Sequence, residues 1–138
     1  MSLHTLLYVE DDPASLKLVA KIIARHPEFR LLTAVRGNVG IEMARESRPD
    51  VILMDINLND ISGFKALNIL RSDRKTAHIP VIALSANAIP INIESGLEAG
   101  FFRYLTKPIK IDEFMDALNA ALEYAGKHPA KGKSTGEG

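Results

Sequence analysis

Short apolar runs alternate with amphipathic segments along the whole chain. The runs at 5–9, 30–35, 51–54, 79–84 and 101–105 are typical of strands, and the run at 51–54, apolar at every position, indicates a strand buried on both faces. Between them, apolar residues recur at helical spacing, as in Leu16, Val19, Ala20 and Ile23. The pattern therefore predicts five strands, each followed by a helix, with the last helix built on Phe114, Leu118 and Leu122.

Strict alternation of strand and helix predicts an α/β fold. Parallel strands joined by right-handed crossovers place helices on both faces of the sheet. We expect a doubly wound, five-stranded parallel sheet of the flavodoxin-like (β/α)5 type, with strand order 2-1-3-4-5. Residues 5–125 form this domain, whereas 1–4 are expected to be a disordered flank and 126–138, which lack large apolar residues, a disordered tail.

Composition narrows the function classes. The 138 residues have a net charge of zero, which argues against a nucleic-acid-binding surface. No apolar run approaches the roughly 18 residues of a membrane span, and no signal peptide is visible. The absence of cysteine excludes disulfides, thiolate metal sites and a cysteine nucleophile, and it is compatible with the cytoplasmic location that we expect.

Acidic residues follow two of the predicted strands. Glu10, Asp11 and Asp12 come directly after the first strand, and Asp55 follows the central one. In the predicted strand order, the carboxyl ends of these two strands are adjacent and face the crevice where ligands bind. Carboxylates crowded at one edge favour a cation, and an all-oxygen ligand set suits Mg²⁺. We assign Glu10, Asp11 and Asp55 to the metal, and Asp12, which precedes Pro13, to the cap of the first helix.

Two further residues stand at the same edge of the predicted sheet. Lys107 ends the fifth strand and Ser85 ends the fourth. A carboxylate such as Asp55 can act as a nucleophile and form an aspartyl phosphate, whose phosphoryl oxygens need positive charge and hydrogen-bond donors. Lys107 supplies a charge and Ser85 a hydroxyl donor. Each alone has an ordinary reading, as a solvated lysine and a turn serine, but together they favour phosphoryl chemistry on Asp55.

Four ordered blocks carry a resemblance to a known family. Residues 9–13 (VEDDP), 53–58 (LMDINL), 83–86 (ALSA) and 104–108 (YLTKP) are similar to the signature blocks of response-regulator receiver domains, over roughly residues 5–125. Residues 83–108 also resemble receiver modules of hybrid sensor histidine kinases. The resemblance implies a two-component phosphorelay, with a histidine kinase or a histidine phosphotransfer domain as partner. It leaves open whether the chain acts alone or is a module of a longer protein.

The resemblance assigns roles to the residues of the site. Asp55 is the implied phosphoacceptor, and Mg²⁺ is held by Glu10, Asp11, Asp55 and the backbone carbonyl of Asn57. Lys107 contacts the phosphoryl group and precedes an implied cis proline. The Glu-Asp pair replaces the Asp-Asp pair of many relatives, which lengthens the reach of the first ligand.

The resemblance also implies a switch. Ser85, in place of the commoner threonine, is the switch hydroxyl, and Tyr104 is its aromatic partner. Asn57 and Asn87 are expected to tune dephosphorylation, since amides can orient water but cannot act as a general base. The response is expected at the face made by the fourth helix, fifth strand and fifth helix, which is also a candidate for homodimer contacts.

Three other functions fit this sequence less well. A phosphatase of the haloacid-dehalogenase type needs a second acid two residues after the nucleophile, where this chain has Asn57. A flavin-binding electron carrier needs a phosphate loop after the first strand, where Glu10, Asp11 and Asp12 would repel a phosphate. A receiver-like protein that only mediates contacts stays open. We favour a signalling domain that phosphorylates and dephosphorylates itself and is not an enzyme in the usual sense.

Overall fold

The computed structural model describes residues 3–86 and 90–128, and of 90–92 it describes the backbone alone. Its strands form one parallel sheet in the order β2-β1-β3-β4-β5, which confirms the predicted order. The strands are β1 (His4–Val9), β2 (Phe29–Ala34), β3 (Val51–Asp55), β4 (Val81–Ser85) and β5 (Arg103–Thr106). The helices are α1 (Pro13–Ala24), α2 (Gly37–Ser47), α3 (Gly63–Ser72), α4 (Pro90–Ala99) and α5 (Ile111–Lys127).

Local chemistry sets several helix boundaries. Asp12 caps α1 by accepting a hydrogen bond from the backbone N–H of Ala14, with Pro13 in the first turn, as predicted. The Ser62 hydroxyl accepts from the N–H of Lys65 at the start of α3. Gly100 follows α4 with a φ of +116°, a conformation that favours glycine. Each of these helices therefore begins or ends where the side-chain chemistry predicts.

The sheet has a hydrophobic core on each face. Alternate residues of β1, β3 and β4 pack with α1 and α5 on one face and with α2 and α3 on the other. Val51, Ile52, Leu53 and Met54 are all buried, because β3 lies in the middle of the sheet with helices on both sides. The buried central strand therefore holds Asp55 in a fixed position at the carboxyl edge of the sheet.

Some boundaries differ from the sequence expectation. β1 begins at His4, whose N–H donates to the carbonyl of Glu28, so this residue belongs to the sheet and not to the flank. α5 continues to Lys127, so residues 126 and 127 are helical and not part of a tail, and residues 129–138 lie outside the described residues. β4 begins at Val81, after Pro80, which has no N–H for a strand ladder. Within the described part of the chain, no helix has both the length and the hydrophobicity to cross a bilayer.

Candidate functional site

The carboxylates of Glu10, Asp11 and Asp55 converge at the carboxyl edge of the sheet. One oxygen from each lies within 4.8 Å of the others. β1 pairs directly with β3, Val9 opposite Met54, so the residues that follow these two positions emerge side by side. Glu10 is 0% exposed and Asp55 is 4% exposed, whereas Asp11 is partly exposed. The structure thus brings together the three acids that the sequence analysis assigned to a metal.

The loop after Asp55 folds back over the end of β3. The N–H of Asn57 donates to Asp55 Oδ1 at 2.9 Å, and the N–H of Gly63 donates to the carbonyl of Ile56 at 2.8 Å. A Cβ at Gly63 would lie 2.8 Å from the Ile56 Cα, so this closure requires glycine. The loop therefore orients the Asp55 carboxylate and keeps Asn57, which is exposed, beside it.

Lys107 reaches the acids from the end of β5. Its Nζ lies 3.1 Å from Glu10 Oε1 and 3.3 Å from Asp55 Oδ2. Its backbone N–H donates to the carbonyl of Ser85 at 2.8 Å, and the Lys107–Pro108 bond is cis, as the resemblance implies. Burial lowers the pKa of Lys107, but hydrogen bonds and ion pairs with Glu10 and Asp55 outweigh it and leave the pKa raised. Lys107 is therefore a cation fixed between two carboxylates.

One lysine does not balance three carboxylates. Burial, together with the neighbouring Asp55 carboxylate, raises the pKa of Glu10 to about 7, although hydrogen bonds from Tyr8 and Lys107 lower it. Mg²⁺ binds oxygen ligands at about 2.1 Å, so opposite ligands are about 4.2 Å apart. The 4.8 Å spread of the three oxygens fits such an ion after a small side-chain adjustment. The donor set therefore suits a divalent cation that prefers oxygen.

The other residues that the sequence predicts for the site are Ser85, Tyr104 and Asn87. Ser85 ends β4 at the same edge and is 2% exposed. Tyr104 is half-buried on β5, and its ring lies against α4 at Gly96, where a Cβ would be 2.6 Å from the ring. Asn87, predicted to tune dephosphorylation, lies outside the described residues.

Sequence reasoning missed two contacts of the site. The Tyr8 hydroxyl donates to Glu10 Oε1 at 2.7 Å. The signal was present, since residues two apart on a strand share a face and a buried tyrosine hydroxyl needs a partner. Asp60, in the loop after Asp55, accepts from the N–H groups of Gly37 and Asn38 at 2.8 and 2.9 Å. No local pattern reveals this second contact, because the partners lie 23 and 22 residues apart in the sequence.

Comparisons with known proteins agree with this geometry. The sequence profile of the response regulator receiver domain matches residues 6–119. This chain belongs to the response regulator receiver family. It is 33% identical over 118 residues to the polar-differentiation response regulator DivK of Brucella anthropi, covering 86% of this chain and 95% of DivK. It is 36% identical over 122 residues to the probable transcriptional regulatory protein TcrX of Mycobacterium tuberculosis, covering 88% of this chain and 51% of TcrX.

Solved receiver structures have the same fold. The receiver domain of the sensor histidine kinase PA1611 of Pseudomonas aeruginosa PAO1, which has a magnesium ion coordinated in its active site cleft, aligns with a TM-score of 0.79 at 30% identity. That alignment covers 88% of this receiver and 99% of the other chain. The chemotaxis response regulator CheY4 of Vibrio cholerae aligns with a TM-score of 0.80 at 22% identity, over 88% and 100% of the two chains. Receiver domains are signalling domains of two-component systems and are not generally considered enzymes, which places this chain in that class.

Proposed function

We propose that this receiver accepts a phosphoryl group on Asp55 from a phosphohistidine, with Mg²⁺ bound beside it. The observation that carries the proposal is the cluster of Glu10, Asp11, Asp55 and Lys107 at the carboxyl edge of the sheet. A carboxylate oxygen of Asp55 forms a bond to phosphorus as the bond from phosphorus to the histidine nitrogen breaks, and that nitrogen leaves with the electron pair. The donor is a histidine kinase or a histidine phosphotransfer domain.

Each neighbour of Asp55 has a part in this transfer. Glu10, Asp11, Asp55 and the backbone carbonyl of Asn57 would hold Mg²⁺, which when bound offsets negative charge on the phosphoryl oxygens. Lys107, already 3.3 Å from Asp55 Oδ2, contacts one phosphoryl oxygen as a point charge. The reaction needs little more than positioning and positive charge, and this edge of the sheet supports both.

The proposal includes a conformational switch. A phosphoryl group on Asp55 draws the Ser85 hydroxyl toward it, and the Tyr104 ring moves into the space that Ser85 leaves. Tyr104 lies against Gly96, so its movement changes the contact between β5 and α4. The output surface is the face of α4, β5 and α5, through which a second copy of the chain could also bind. Nucleic acid and membrane are not partners in this proposal.

The lifetime of the signal depends on two amides. Asn57 and Asn87 stand two residues after Asp55 and Ser85, and we assign to them the orientation of the water that hydrolyses the aspartyl phosphate. Changing either residue should alter the rate of spontaneous dephosphorylation. Since kinases form phosphohistidine from cytoplasmic ATP, the proposal places this receiver in the cytoplasm.

Phosphorylation by a small donor tests the proposal. Intact-mass measurement after incubation with acetyl phosphate and Mg²⁺ should show one added phosphoryl group, which hydroxylamine removes. Asp55→Asn should abolish the addition, whereas Asp12→Asn, an acid that faces α1, should retain it. Equal modification of Asp55→Asn, or no modification of the unsubstituted protein, would contradict the proposal.

Beryllofluoride, a mimic of the phosphoryl group, tests the switch. Amide NMR spectra with Mg²⁺ and beryllofluoride should change at Ser85 and Ala86 and around Tyr104, because these residues move when Asp55 is modified. Gly96→Ala adds a methyl group where the ring lies, so it should shift the Tyr104 signals even without the mimic. Changes confined to the neighbours of Asp55 would show a site that binds the mimic without switching.

A further inference from the structure

Tyr8 is a fully buried tyrosine inside the strand that leads to the acids. Its side chain is 0% exposed, and its ring packs in the core between the sheet, α1 and α5. The hydroxyl donates to Glu10 Oε1 at 2.7 Å, two residues further along the chain and directly after the end of β1. Residues two apart on an extended chain lie on the same face, so the end of β1 holds the donor under the carboxylate. The hydroxyl therefore meets Glu10 from the core side of the site.

The other hydrogen bonds of Glu10 come from different directions. Lys107 Nζ lies 3.1 Å from Oε1 and 3.2 Å from Oε2, and the N–H of Asp12 donates to Oε2 at 3.2 Å. A carboxylate oxygen has two lone pairs, and Lys107 occupies one on each oxygen, so a metal can bind Glu10 only where it takes the place of a lysine contact. Both the lysine and the metal site can change their contacts when an ion or phosphoryl group arrives. Tyr8 is anchored in the core, so its hydroxyl is the fixed reference for the carboxylate.

Glutamate needs such a reference more than aspartate does. Its side chain has one more rotatable bond, and ordering it has a larger entropic cost. Removing a residue that orients a metal-ligating side chain typically lowers metal affinity by about 10- to 100-fold. In this chain the Tyr8 hydroxyl therefore restrains the longer side chain of the Glu10-Asp11 pair.

We propose that Tyr8 is a positioning residue for the metal site, and that its hydroxyl holds the Glu10 carboxylate in the orientation that binds Mg²⁺. This inference rests on the proposed function, because it takes Mg²⁺ as the ion of the site. Tyr8 does not touch the metal or the phosphoryl group in this arrangement. Its effect on the metal is exerted through Glu10, and that dependence makes the inference testable.

Tyr8→Phe removes the hydroxyl and keeps the ring in the core. Calorimetric titration with Mg²⁺ should show a dissociation constant about 10-fold higher than that of the unsubstituted protein. Tyr124→Phe is the matched control, because Tyr124 is 38% exposed on α5, and its affinity for Mg²⁺ should not change. An unchanged Mg²⁺ affinity in Tyr8→Phe, with or without a lower melting temperature, would overturn the inference and leave Tyr8 a structural residue.

A double-mutant cycle with Glu10→Asp shows whether Tyr8 acts through Glu10. The aspartate is one methylene shorter and should not reach the hydroxyl, so adding Tyr8→Phe in that background should change Mg²⁺ affinity by less than about 2-fold. Equal effects of Tyr8→Phe in both backgrounds would contradict a role through Glu10. The phosphorylation rate with acetyl phosphate at subsaturating Mg²⁺ should follow the same pattern, and saturating Mg²⁺ should reduce the difference.

A measurement on the unsubstituted protein covers the case in which Tyr8→Phe does not fold. With ¹³C-labelled tyrosine, the Cζ signal of Tyr8 should shift on Mg²⁺ titration while that of Tyr124 stays in place. Mg²⁺ binding by calorimetry without a Tyr8 shift would overturn the inference and leave the proposed function standing. No Mg²⁺ binding at all would contradict both.

Discussion

At the amino-terminal edge of the sheet, Arg71 and Asp50 hydrogen-bond backbone groups, whereas at the carboxyl-terminal edge Lys107 and Tyr8 hydrogen-bond the carboxylates of the site. At the amino edge, Arg71 donates to the carbonyls of Ala77, Ile79 and Gly100. Asp50 accepts from the N–H of Thr5 at 2.7 Å. At the carboxyl edge, Glu10 and Asp55 share Lys107, and Tyr8 donates to Glu10.

The two edges differ in role: the amino edge supports the fold, and the carboxyl edge carries the charged groups of the site. Backbone carbonyls and N–H groups are neutral and fixed, so the hydrogen bonds of Arg71 and Asp50 do not depend on a bound ion. Among the described residues, no carboxylate forms an ion pair with Arg71, so its bonds to carbonyls do not compete with other charges. The carboxyl edge gathers three carboxylates against one lysine, and this charge balance changes when a cation or a phosphoryl group arrives. Substitutions at the two edges should therefore affect different properties of the protein.

The largest effect is expected at the carboxyl edge, on metal affinity. Glu10→Gln or Asp11→Asn should weaken Mg²⁺ binding by at least about 10-fold, since each removes a charged ligand. Calorimetric titration measures this directly. Asp12→Asn is the control, because Asp12 accepts from Ala14 and Ser15 of α1 and carries the same charge next to Asp11. An equal loss of Mg²⁺ affinity in Asp12→Asn and Asp11→Asn would contradict the assignment of Asp11 to the metal site and Asp12 to the helix cap.

A smaller effect, on stability, is expected at the amino edge. Arg71→Met keeps the aliphatic stem but leaves three carbonyls without this donor, which should lower the free energy of unfolding by about 2 kcal/mol. Mg²⁺ affinity should stay the same. Denaturant unfolding of Arg71→Met and of Arg74→Met, an exposed neighbour, separates the two roles. Equal stability of these variants, or weaker Mg²⁺ binding in Arg71→Met, would remove the contrast between the edges.

The smallest effect concerns Asp60, a carboxylate of the carboxyl edge whose hydrogen bonds, within the described part of the chain, are to backbone N–H groups. Asp60→Ala should lower the free energy of unfolding by about 1 kcal/mol, because α2 has no side-chain cap of its own at Arg36 and takes two acceptor oxygens from Asp60. Asp60→Asn, which keeps one acceptor, should lose less. An unchanged unfolding midpoint in Asp60→Ala would show that these bonds add nothing to stability.

The same residue predicts a pH dependence. Burial raises the pKa of Asp60, but hydrogen bonds from the N–H groups of Asn38 and Gly37 outweigh it and hold the pKa below its usual value. A carboxyl with a lowered pKa in the folded state stabilises the fold above the unfolded pKa of about 3.9, and this contribution is lost as the pH falls through the folded pKa. The stability difference between the unsubstituted protein and Asp60→Ala should therefore be constant above about pH 5 and shrink below about pH 4. A difference that grows on acidification would contradict this assignment.

Much of the fold was predictable from local patterns. The fully apolar run at 51–54 predicts a central strand, Asp12 and Pro13 predict the start of α1, and strict alternation predicts the strand order that the sheet has. The predicted strand order also predicted that the acids lie together, because Glu10 and Asp11 follow the first strand, Asp55 follows the third, and these two strands are adjacent. Strand ends were less predictable, because pairing with a neighbour extends β1 to His4 and Pro80 delays β4.

Sequence by itself determined which residue types stand at the carboxyl ends of the strands, because hydrophobic periodicity and turn chemistry are local properties of the chain. Only the tertiary structure decided which atoms meet there. The position of Lys107 between two carboxylates and that of Asp60 on the first turn of α2 depend on side-chain directions and on distances between segments far apart in the sequence. Those contacts follow from the packing of helices on a twisted sheet, which no single stretch of sequence encodes.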